Sequence, residues 1–156
     1  MVTNSQEYAE KLWQLQLDKP TTKAVLLPGD ETIYEVDLDA RTIAVPKFLS
    51  VAKDHQAETI YFKFDRFYDR IDLTTKCCVI QYVNAAGDSY IYPVPFYDVE
   101  TLSGQGKVII PWCIQGAATK EAGTIKFAIT FYSVGVDKTI SYCLNTLVAS
   151  GEILNG

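Results

Sequence analysis

The sequence predicts an all-β domain, an antiparallel sandwich or barrel of about seven to nine strands, with one α-helix in front of it. Three observations predict this. After Pro20 the chain is a series of short apolar/polar alternations, the period of a half-buried strand. Turn residues separate these runs roughly every 8–12 residues. Helical spacing is confined to the first twenty residues, so strands do not alternate with helices and a doubly wound α/β fold is excluded. The domain reading is residues 1–20 as an N-terminal helical arm and 21–156 as the β domain.

The helix rests on Tyr8, Leu12 and Leu15 at i, i+4 and i+7, with Ala9 and Trp13 beside them. Thr3 and Gln6 have the spacing of a capping box. Lys19-Pro20 ends the helix, because proline disfavours helical geometry in the residue before it. Lys11, Gln14 and Gln16 are expected to face away. A stripe this narrow packs either on the chain's own sheet or on a partner, so Tyr8, Leu12, Trp13 and Leu15 form a candidate protein interface.

The strands follow in order. Tyr34, Val36 and Leu38, then Ile43 and Val45, are two short alternations split at Asp39-Ala40. Ile60, Phe62 and Phe64 alternate with Tyr61, Lys63 and Asp65. Residues 77–97 read as strand, turn, strand, with Asn84 to Asp88 as the hairpin loop. Pro93 and Pro95 cannot donate to a ladder, so that segment is an edge or a strand exit. "KVIIPWCI" is a short apolar strand. Ile125, Phe127, Ile129 and Phe131 share one face, and Ile140, Tyr142 and Leu144 are placed inward on the last clear strand.

Composition bounds the function. The 156 residues suffice for one core, and 48% hydrophobic with 21% charged residues is globular rather than disordered. Fourteen basic residues scattered among nineteen acidic ones give a net charge of −5, which argues against nucleic acid and anionic membrane surfaces as partners. No apolar run reaches the roughly 20 residues of a membrane span. The first residues lack the basic-then-apolar pattern of a signal peptide, so assembly in a cytoplasm is expected. Of the four cysteines, Cys77 and Cys78 are strand neighbours that point to opposite faces. With Cys113 and Cys143 they are expected to be free, mostly buried thiols.

Sites for chemistry are sparse. The single histidine, His55, lies near Asp54 and Glu58, but one imidazole is too few for a hydrolytic zinc centre. A solvated loop is the favoured reading. Asp65, Asp69 and Asp72 are interleaved with Arg66 and Arg70, which suits surface salt bridges better than an oxygen-lined calcium site. Asp98 and Glu100 could stand as a glycosidase pair, although pairs like this arise by chance among nineteen acids. No nucleophile elbow or phosphate-binding glycine loop is present; "SGQG" sits between strands. Neither a cofactor nor a metal is expected. Tyrosines at outward strand positions are more suggestive, since exposed aromatics stack on sugars and anchor interfaces. Tyr68, Tyr90, Tyr92, Tyr97 and Trp112 form the candidate exposed aromatic surface.

The segments "YEVDLDARTIAVPKFLSVAKDHQAETIYF", "DLTTKCCVIQYVNAAGD", "IPWCIQGAATKEAGTIKFAITFY" and "YCLNTLVASGEILNG" resemble the N-terminal domain of tail baseplate upper proteins, the fibre-carrying proteins of phages and prophages of Gram-positive gut bacteria. The resemblance covers nearly the whole chain from residue 33 on. It implies an immunoglobulin-like β-sandwich that docks on the tail core and carries receptor-binding parts, without a cofactor or active site. The expectation is a non-enzymatic virion protein, a baseplate adaptor between tail core and receptor-binding module. Its partners are other tail proteins and further copies in a trimer or hexamer, with cell-wall glycan only an indirect partner. The family continues into a stalk or fibre, whereas this sequence stops at Gly156, so a truncated domain or a separate receptor-binding chain is expected. Within the resemblance Asp54 and His55 satisfy backbone donors, and Glu58 stands at the mouth of a core strand. The alternative is a carbohydrate-binding module that stacks cell-wall glycan on the tyrosines and Trp112. A small hydrolase ranks third.

Overall fold

The computed structural model describes residues 5–17, 21–23, 33–45, 48–100 and 106–156. Helix α1 is Ser5–Leu17. The strands are β1 Thr21–Lys23, β2 Ile33–Asp37, β3 Thr42–Ile43, β4 Ser50–Val51, β5 Thr59–Asp65, β6 Phe67–Tyr68, β7 Ile71–Asp72, β8 Cys77–Val83, β9 Ser89–Pro93, β10 Phe96–Glu100, β11 Lys107–Cys113, β12 Gly123–Val134, β13 Ile140–Asn145 and β14 Ala149–Leu154. Nine of these have five or more residues, at the upper end of the seven to nine expected; the others are two- or three-residue pieces, of which only β3 lies on an expected alternation, that of Ile43 and Val45. Thr3, Lys19 and Pro20, offered as helix cap and helix stop, lie outside the described residues.

One six-stranded sheet has the order β1-β10-β11-β5-β2-β3. The second runs β4-β14-β12-β8-β9, with β13 also paired to β12. The pairing is not purely antiparallel as expected. The pairs β1–β10, β2–β5 and β4–β14 are parallel. Two of these involve strands of only two or three residues that fill a sheet margin, a use of the chain that leaves no hairpin signal.

The two sheets face each other across one core. Phe62 on β5 meets Phe127 on β12 at 6.0 Å, and Phe64 meets Phe131 at 4.8 Å. Trp112 on β11 joins from the same side, 4.9 Å from Phe127 and 5.6 Å from Tyr82 on β8. Ile60, Phe62 and Phe64, and likewise Ile125, Phe127, Ile129 and Phe131, are all buried there, as their alternation predicts. On β13 the inward face is only half realised: Leu144 is buried and Tyr142 half-buried, but Ile140 is exposed. Asn84 closes the β8–β9 hairpin, its Oδ1 accepting from the Asp88 N–H while Gly87 takes a left-handed φ of +90°. Strand β9 is a sheet edge that ends at Pro93, after which the Val94 N–H still donates to the Cys78 carbonyl. Pro111 sits within β11, and the β10–β11 ladder runs only from Lys107 to Ile109. A residue without an N–H has nothing to donate on that side.

Helix α1 lies along the outer face of the second sheet, in step with β12. Four helical residues rise about 6 Å and two strand residues about 6.6 Å. Tyr8, Leu12 and Gln16 therefore fall in line with successive outward positions of the sheet. Gln81 Nε2 donates to both the Tyr8 hydroxyl and Thr130 Oγ1, the Tyr132 hydroxyl donates to the Leu12 carbonyl, and the Gln16 amide bonds Val134. Beneath the helix Leu12, Cys77, Val79, Tyr132 and Val134 form a second apolar cluster, separate from the main core.

Candidate functional site

Several groups offered as chemistry are used by the turns and strand ends that place them. Residues 53–58 run beside residues 114–119. Lys53 N–H donates to Thr119 O, Gln56 N–H to Ile114 O and Ile114 N–H to Glu58 O. Exposed His55 accepts the Gly116 N–H on Nδ1 at 2.8 Å, so its imidazole locks one loop to the other. Asp54 takes part through its backbone, its carbonyl accepting from Thr119 Oγ1. Glu58 directly precedes β5, as expected.

The acidic and arginine run becomes the β6–β7 hairpin. Asp69 and Arg70 are its two loop residues, both left-handed at φ 47° and 67°, the signature of a type I′ turn. Asp72 receives the Arg66 guanidinium on both oxygens, with contacts between 3.0 and 3.2 Å. Its Oδ1 also accepts from the Thr74 N–H and hydroxyl, capping the short 3₁₀ turn Leu73–Thr75. Burial raises the pKa of this carboxyl, but the bonds from Arg66 and Thr74 outweigh burial and hold it below its ordinary value. Asp65 pairs with Lys107 across the ladder. Asp98 is buried on β10, while the side chain of Glu100 lies outside the described residues. Among the described residues no group of three or more His, Cys, Asp or Glu is arranged to hold a metal.

The aromatic surface does not assemble as expected. Tyr97 and Trp112 are fully buried, Tyr97 donating to the Lys76 carbonyl and Trp112 lying between Tyr82 and Phe127. Both face the core between the sheets rather than outward, and alternation on a single strand does not disclose which of its faces that is. Tyr92 is half-buried and reaches across to accept the Cys113 N–H. Tyr68 stacks beneath Arg41, and Tyr90 alone of the five is exposed, its ring stacked on Tyr82. Burial and the neighbouring Tyr90 push the Tyr82 hydroxyl up to about 12. Tyr132 is on the outer face of its sheet but lies buried under α1.

The helical interface is corrected in the same way. Leu12 is fully buried against the chain's own sheet, and Tyr8, Trp13 and Leu15 pack around that contact, so the stripe is already occupied. Gln16, expected to face solvent, instead docks: Val134 N–H donates to its Oε1 at 2.8 Å and its Nε2 donates to Val134 O at 2.9 Å. A primary amide presents one donor and one acceptor side by side, the arrangement of a strand partner. The β8 ladder with β12 ends at Cys77–Tyr132, so Gln16 continues it where β8 stops. A sequence signal for this contact existed. Outward residues of β12 change from Thr124 and Lys126 to Tyr132 and Val134, and those of β8 are Cys77 and Val79 where the two strands pair. Apolar residues on both faces of paired strands mark a covered outer face. The cysteines form no disulfide, with Cys77 and Cys78 buried on opposite faces, Cys113 half-buried and Cys143 exposed.

No known family model matches this chain, and no curated protein matches it. No helix among the described residues is long and apolar enough to cross a membrane.

Proposed function

We propose that the chain is a non-enzymatic structural protein of a phage or prophage tail baseplate, an adaptor between the tail core and the receptor-binding module, with an immunoglobulin-like sandwich as its body. The observation that carries this reading is how the polar groups are used. His55 locks two loops, Asp72 caps a turn and holds Arg66, and Asn84 closes a hairpin. His55, Asp72 and Asn84 lie within the segments that carry the family resemblance, which makes the resemblance one of scaffold. The glycan reading has less to stand on, because two of its five aromatics, Tyr97 and Trp112, are buried.

In this reading the protein resides in the virion and self-associates as a trimer or hexamer. Because α1 is docked on its own sheet, the contacts between copies lie elsewhere. The test has two parts. Light scattering on the purified chain should give three or six times 17.4 kDa, and immunogold labelling of particles induced from the bacterium carrying the gene should decorate tail tips. A monomeric mass together with unlabelled tails would reject the adaptor role.

A further inference from the structure

We propose that α1 is a releasable strap, which detaches from the outer face of the β8–β12 sheet as one unit while both sheets stay folded. Three features of the contact support this. The apolar cluster under the helix shares no buried residue with the core between the sheets. Among the described side chains of α1 only Ala9 and Leu12 are buried, while Gln6, Glu7, Glu10, Lys11, Gln14 and Leu17 are exposed. The ladders of β8 and β12 run to each other and to β9, β13 and β14, so none of them needs the helix.

The hydrogen bonds lost on release include the pair between Gln16 and Val134, the Tyr132 hydroxyl to Leu12 O, and Gln81 to the Tyr8 hydroxyl. A helix of 13 residues is marginal in water by itself, so release and unwinding are one event. Locally opening units of this sort exchange well below the free energy of global unfolding. Release bares an apolar band of Cys77, Val79, Tyr132 and Val134, with the Val134 N–H and C=O left open beside it. The band and the open peptide group are the features a helix fills with an apolar residue and an amide four positions later, as α1 does with Leu12 and Gln16. The inference holds whether or not the baseplate reading does.

Cys77 lies beneath the strap and Cys78 on the opposite, core-facing side of the same strand. Pulsed alkylation of the full chain, with fragmentation between the two residues, reads both sites at once. Rates are normalised to those of the denatured chain. Cys77 is expected to react at least about tenfold faster than Cys78, and Leu12→Ala to accelerate Cys77 by about tenfold more without changing Cys78. Equal rates that rise together with denaturant in both proteins would overturn the strap. Should Leu12→Ala fail to fold, hydrogen exchange on the unmodified chain decides. Amides of α1 exchanging well before those of β8 and β12 support release, and coincident exchange rejects it.

Discussion

At the scale of single residues, the polar side chains of this protein act on its own backbone. Asp72 is the clearest case, because one carboxylate holds Arg66 and caps the turn that leads into β8. Its pKa is lowered in the folded protein, so its stabilisation is present above the unfolded value of about 3.9 and is lost as pH falls through the lower folded value. Asp72→Asn keeps an oxygen for the cap and removes the charge. The expected loss at pH 7 is no more than about 1 kcal/mol, as for a partly exposed ion pair, and the gap to the parent protein should be smaller at about pH 3 than at pH 7. Denaturant titration at the two pH values measures it, and a gap independent of pH would refute the assignment. The sequence made salt bridging among these charges legible, because alternating signs beside a turn can hardly avoid each other, but not that Arg66 would take Asp72 while Asp65 took Lys107. It could not show that His55 would accept from Gly116, sixty-one positions away. That bond depends on where two loops end, and no local pattern encodes it.

At the scale of elements, legibility follows the number of buried faces. Strands β5 and β12 were readable because one face is apolar and the other largely polar over much of their length. Trp112 and Tyr97 misled because β10 and β11 have bulky residues on both faces, so alternation says nothing about which is covered. Gln16 misled because polarity was equated with solvent, whereas its spacing of four from Leu12 places it on the docked face. Parallel β4 was invisible, being only Ser50–Val51, yet it fixes a tight approach. A Cβ on Gly151 of β14 would lie 2.6 Å from Cγ and Cδ1 of fully buried Leu49, which has no room to move away. Gly151→Ala should therefore cost about 1–3 kcal/mol, a fall of several degrees in Tm for a chain of this length. Strain of this origin is shared between two residues, so Leu49→Ala combined with Gly151→Ala should cost less than the sum of the single changes. Strict additivity in thermal melts would show that the contact is not the source.

At the scale of the whole molecule, the rings between the sheets determine whether the protein unfolds in one step. Phe127 touches Phe62 and Trp112 from the opposite sheet and lies beside Ile125 and Ile129 in its own. Its ladder partner on one side is Tyr82, which itself packs on Trp112, so the cluster closes on itself across the layers. Among the described residues the other buried apolar cluster is the small one beneath α1, on the outer face of the second sheet. The two layers should therefore lose structure together, with only the helix leaving earlier. Phe127→Ala removes the central ring and should cost about 3–5 kcal/mol, lowering Tm by about 10 °C. In a Trp13→Phe background the fluorescence of Trp112 reports the space between the sheets, and far-UV circular dichroism reports the strands themselves. The two signals should coincide in one transition, both before and after Phe127→Ala. Separate transitions would mean that each sheet carries its own core, and the shared ring cluster would lose its standing as what holds the layers together.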